Sequence, residues 1–192
     1  MTFFSKLPTH LSKALLAVAV LGSAANVGAA TTITKPNLVL QQSNVSLALA
    51  NQLIDATKAA CRAEGKSMVV AVVDRGGNLV AVQRDDDVGP HNTDAAIKKA
   101  FTALSTKTPS RKLADIARAN PDSNNLNTVE DLLLIGGGVP IMFNGEVIGA
   151  IAGGGAGGAV QDESCAIQVS KKYYTIKNNH ALYYEQRAMA SQ

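Results

Sequence analysis

Two β-hairpin signals, each without a helix between its strands, most restrict what this chain can fold into. Ile141–Phe143 and Glu146–Ala152 flank Asn144-Gly145, a dipeptide that readily adopts the two positive-φ residues of a type I′ turn. Upstream, the β-branched run Met68–Val73 leads through Asp74-Arg75-Gly76-Gly77-Asn78 into Leu79–Gln83. Parallel strands need a crossover between them, so two direct hairpins argue for a mainly antiparallel sheet covered by helices.

The helical segments complete that picture. Ser43 or Asn44 caps a predicted helix running to about Glu64, with apolar positions at Val45, Leu47, Leu49, Leu53, Ile54 and Ala60 and Gly65 as its stop. A second helix is predicted from Pro90 or Asn92 to Ser105, and a third over Arg111–Ala119. Asn120–Thr128 reads as a surface loop, and Leu132–Ile135 as a short strand running into Gly136-Gly137-Gly138. A last helix is predicted from about Asp162 to beyond Tyr174. The expected order is α-β-β-α-α-β-β-β-α, in one domain over 31–192.

The first thirty residues read as a secretory signal. Lys6 and Lys13 precede the apolar Ala14–Leu21, and small residues at Val27–Ala30 offer cleavage after Ala29 or Ala30. Of the chain's 192 residues, roughly 160 remain, enough for one ordinary core. Losing Lys6 and Lys13 from 18 basic residues leaves them nearly level with 15 acidic ones, and no basic stripe interleaved with aromatics points to nucleic acid. The expected location is periplasmic or extracellular, with no membrane span after cleavage. There Cys61 and Cys165 either pair, closing a loop of about 105 residues, or pack as small apolar side chains.

Several motifs have a bland and a sharp reading. Gly153–Gly158 satisfies G-x-G-x-x-G but lacks the βαβ unit and acidic residue of a dinucleotide site. It reads as a tight turn, or as backbone able to hold a carboxylate or phosphate. Asp85-Asp86-Asp87 with Asp94 lacks calcium-loop spacing and reads first as a solvated turn. Asp162-Glu163 suits a helix N-terminus, and no serine occupies a nucleophile elbow. His91 sits at the mouth of the second helix, either as a polar cap or as a ligand to metal, haem iron or substrate. His180 reads as a surface or tail residue, and Tyr173, Tyr174, Tyr183 and Tyr184 as packing or surface contacts.

Four linked motifs together resemble one family. They are Val72-Val73-Asp74 with Gly76/Gly77 and Leu79-Val80, then Lys99-Ala100-Phe101-Thr102-Ala103, then Gly136–Ile141 with Gly145 and Val147–Ile151, and finally Asp162-Glu163-Ser164-Cys165-Ala166. In this order they resemble the GlcG/HbpS-like, or haem-degrading domain, family, which is related to the C-terminal domain of PduO-type proteins. The resemblance implies a profilin-like three-layer α/β/α fold with a five-stranded antiparallel sheet, homo-oligomers, and association with haem or a corrinoid. It makes His91 the candidate haem-iron ligand and Arg84, Lys99 and Thr102 candidate cofactor-binding residues. Phe101, Met142 and Val88 would line the slot, and Arg84, Lys98 or Lys99 would meet the propionates.

The chain also departs from the family pattern. Arg84–Asp87 replaces R-M-D-G, Ala152–Gly158 lacks the usual serine, and Asn44–Arg62 has no histidine such as binds haem in some relatives. The leading expectation is a haem-binding protein linked to haem handling or redox stress. The alternatives are an enzyme degrading haem or acting on another small molecule around Asp74, His91 and Lys99, and an accessory oligomer without ligand.

Overall fold

A computed structural model describes residues 38–174. The expected leader over 1–30, His180, Tyr183 and Tyr184 lie outside the described residues. All the elements below belong to one compact unit beginning at Gln41. Helix α1 (Leu47–Ala63) is capped by Ser46, whose hydroxyl accepts the Leu49 N–H at 3.2 Å. Asn44, an expected cap, instead accepts the N–H groups of Val45 and Arg75, each at 2.8 Å, and ties the helix entry to the first hairpin turn. The α1 face built from Ala50, Leu53, Ile54, Thr57 and Cys61 is buried at helical spacing.

Strands β1 (Val69–Asp74) and β2 (Leu79–Arg84) form the first hairpin. Strands β3 (Gly138–Phe143) and β4 (Glu146–Gly154) form the second, turning through Asn144 and Gly145 at φ 49° and 83°. The sheet is antiparallel throughout, in the order β2-β1-β4-β3. Central β1 is covered on both faces, which is why it reads as an unbroken apolar run.

On one face Val70, Val72 and Ile151 meet Leu53 and Ile54 of α1 and Ala166 and Val169 of α5 (Ala159–Tyr174). On the other, Val73, Ala150 and Ala152 meet Ala100, Ala103 and Leu104 of α2 (His91–Thr106). Small residues on both sides of that second contact let the helix lie close to the sheet. Helix α3 (Ser110–Ala119) buries Leu113, Ala114 and Ala117 against Leu134. The expected loop after it contains one short helix, α4 (Pro121–Asn124), started by the Asn120 side chain, and a 3₁₀ turn over Asn125–Thr128.

The sheet has four strands among the described residues, not the five expected. Leu132–Ile135 is not a strand, because its backbone groups bond to side chains instead of a ladder. The Leu133 N–H donates to Thr102 Oγ1 at 2.8 Å, and the Ile135 carbonyl accepts from Ser110 Oγ at 2.7 Å.

Two ties hold α1 in place. Cys61 and Cys165 are disulfide-bonded, with Cα atoms 5.5 Å apart, which joins α1 to α5 and resolves the alternatives left open by the sequence. Asp85, expected in a solvated turn, is a clamp: it accepts from the Met68 N–H at 3.0 Å and pairs with Arg62 at 2.6 Å and Lys58 at 3.2 Å. Burial works against the Asp85 charge, but the Met68 N–H, Arg62 and Lys58 outweigh it and hold the carboxyl below its usual range.

Two outcomes follow. Reducing the disulfide, or replacing both cysteines by alanine, should lower stability by about 2–4 kcal/mol in urea unfolding. Because the folded Asp85 carboxyl is the stronger acid, its contribution is present above the unfolded value of about 3.9 and is lost as pH falls through the folded one. An Asp85→Asn variant should therefore be less stable than the parent at pH 7, with the gap narrowing below about pH 4 in acid titrations of stability.

Candidate functional site

Three of the four motifs that carried the family resemblance meet at one buried point. Lys99 projects from α2 with only 4% of its surface exposed. Its ammonium donates to Asp162 Oδ2 at 2.8 Å and to the Gly153 carbonyl at 3.3 Å. The other Asp162 oxygen accepts the Ala156 N–H at 2.7 Å, so this aspartate closes the glycine turn as well as pairing with α2. The glycine run makes room for the pair. A Cβ on Gly137 would stand 3.1 Å from the Lys99 ammonium, and one on Gly138 would overlap the Lys99 carbonyl.

Neighbouring side chains are equally committed. Thr102 Oγ1 donates to the Lys98 carbonyl at 2.7 Å and accepts from Leu133. Ser110, which sequence reasoning did not single out, accepts the Gly138 N–H at 2.8 Å while donating to Ile135. Arg111 pairs with buried Glu163, whose hydrogen bond and charge raise the guanidinium above its ordinary value. Lys99 and Thr102, expected to meet a cofactor, thus have their polar atoms bound within the fold. Local spacing could not show this, since Lys99 and Asp162 are 63 residues apart.

His91 and Arg84 are placed differently. His91 opens α2 after Pro90 and is exposed, with its ring lying over Gly89. Arg84 ends β2 opposite Val69, which on its other side pairs with Gly154. A Cβ on Gly154 would stand 3.1 Å from the Asn92 carbonyl, so β4 ends against the first turn of α2. Val82, two residues before Arg84, packs with Val88 and Ala96 on the α2 side. Arg84 and His91 therefore share one end and one face of the sheet. The glycine turn lies at this end too, but its Ala156 N–H already serves Asp162.

A cleft of about 660 Å³ lies at the other end of α2. Phe101, Leu104, Met142 and Val147 form its apolar part, and Arg75, Glu146 and Lys107 line it with charge. The 13 residue steps from His91 to Leu104 correspond to about 20 Å of helix. Phe101 and Met142 thus share a slot with each other, whereas Val88 packs near the His91 end. Asp74 is also remote from His91, and its carboxylate accepts the N–H groups of Gly76 at 2.8 Å and Asn78 at 2.9 Å. Burial opposes its charge, but these bonds prevail and lower its pKa. Asp74, His91 and Lys99 are therefore not assembled as one constellation. Among the described residues no group of three or more His, Cys, Asp or Glu side chains is gathered to hold a metal ion, and no helix is long and apolar enough to cross a membrane.

Asp162→Asn keeps an acceptor for Ala156 but strands the buried Lys99 ammonium. It should destabilise the fold by about 3–5 kcal/mol in chemical unfolding, whereas replacing both partners with apolar residues should cost less.

Comparison with known proteins identifies relatives of this chain. The family described as "Haem degrading protein HbpS-like" matches residues 45–171. Protein GlcG of Escherichia coli K12 is 30% identical over 107 residues, which is 56% of this chain and 78% of that one. The crystal structure of HbpS superimposes with a TM-score of 0.66 at 28% identity, covering 76% of this chain and 99% of that chain. A PduOC:haem complex does so at 0.59 and 26% identity, covering 69% and 95%. The chain belongs to the HbpS-like family.

Proposed function

We propose that this protein binds haem, as an exported, homo-oligomeric binding protein built on a profilin-like scaffold. The observation that carries the reading is membership of the HbpS-like family, together with likeness to a structure described as a haem complex. In the proposed arrangement the exposed imidazole of His91 ligates the iron, and Arg84, at the same end of the sheet, meets a propionate. Lys99 and Thr102 contribute indirectly by fixing α2, and hence His91, against the sheet.

The donor set at this end fits iron and one carboxylate. The 660 Å³ cleft lies at the far end of α2 and takes no part in this arrangement. In the proposed homo-oligomer, a second copy seated against the mouth of α2 would wall the porphyrin beside His91. Bound haem would bring redox-active iron to the protein, in keeping with a role in haem handling or redox stress. The family's description as haem-degrading favours a second reading, in which bound haem is broken down and its iron released.

Haem titrated into the purified protein should give a saturable Soret band, and His91→Ala should shift it and weaken binding by about tenfold or more. An unchanged spectrum and affinity in that variant would remove His91 as the ligand. Decay of the Soret band with iron release under a mild reductant would favour the degrading enzyme.

A further inference from the structure

The cleft at the C-terminal end of α2 is not needed by the arrangement proposed for His91, yet it has the elements of a binding site. We propose that it is a second ligand site, taking a small molecule with a flat apolar body and a single carboxylate. Its volume of about 660 Å³ lies within the range of small-molecule sites, roughly 300–1,000 Å³. The apolar part is braced from behind. Gly77 adopts φ +85°, and a Cβ there would stand 2.8 Å from Phe101 Cε2. The Phe101 ring therefore lies against bare backbone of the first hairpin turn, with Leu104, Met142 and Val147 completing the apolar lining.

The charges select the ligand. Arg75 is paired with Glu146 at 2.9 Å, so these two lining residues largely cancel. Lys107 remains, exposed and without an ion pair among the described residues. It occupies a left-handed position at φ 51°, where helices ordinarily end in glycine or asparagine because a Cβ is strained. Its backbone N–H donates to the Leu104 carbonyl at 3.2 Å, which fixes where the side chain leaves the helix. A lysine at that position gives up backbone ease and places one uncompensated ammonium at the rim of an aromatic cleft. One ammonium suits one carboxylate, since the Arg75–Glu146 pair offers no second uncompensated charge.

The test is calorimetric titration of the full chain with 2-naphthoate and with its uncharged analogue 2-naphthylmethanol. The naphthoate should bind saturably at one site per chain, and the alcohol about tenfold or more weaker, the worth of one charge-assisted hydrogen bond. Lys107→Gly should weaken naphthoate by about the same factor without lowering the melting temperature, since glycine suits the left-handed position. Lys107→Arg should retain binding, and saturating haem should leave the naphthoate affinity unchanged. Absence of saturable binding, equal affinity for acid and alcohol, or an unaffected Lys107→Gly variant would overturn the proposal. Displacement of naphthoate by haem would also overturn it, by making the cleft the haem site.

Discussion

The buried ion pair between Lys99 and Asp162 is the interaction on which the rest of the domain depends. Two charges removed from water are unfavourable unless their remaining hydrogen-bonding groups are also satisfied. Here the Gly153 carbonyl and the Ala156 N–H supply those partners. The pair joins helices packed on opposite faces of the sheet; Gly137 puts no side chain beside the Lys99 ammonium, and Gly153 lets the Asp162 backbone lie close to β4. The glycine run, the lysine helix and the acidic start of α5 are thus three parts of one device. The disulfide between Cys61 and Cys165 and the Asp85 clamp secure α1 in the same spirit.

That device separates scaffold from surface along α2. Its middle buries Ala96, Ala100 and Ala103 against the sheet, and the Lys99 and Thr102 side chains are bound internally. Its two ends are free to differ. One presents His91 beside the ends of β2 and β4, and the other presents Phe101 and Lys107 to the cleft between the hairpin turns. A rigid helix with two exposed ends can serve two ligands without moving either site relative to the other.

Much of the fold was legible because its signals are local. Asn144-Gly145 fixed one hairpin, Asp74–Asn78 the other, and Gly65 the end of α1. What was not legible depends on partners distant in sequence. Leu132–Ile135 has the apolar character of a strand, but Thr102 and Ser110, on other helices, take its backbone groups. Lys99 looked available for a propionate because nothing near it in sequence revealed Asp162. Asp85 looked solvated because the cations that bind it come from α1. Phe101 and Met142 were grouped with Val88 because the length of α2, which holds them apart, is a property of the folded helix and not of the motif.

The central claim, that α2 has a structurally committed middle and separate working ends, is tested most directly by amide hydrogen exchange with and without haem. The account predicts slowed exchange over residues 84–93 on haem addition, with 101–107 and 142–147 unchanged. Slowing at 101–107 and 142–147 with none at 84–93 would contradict it.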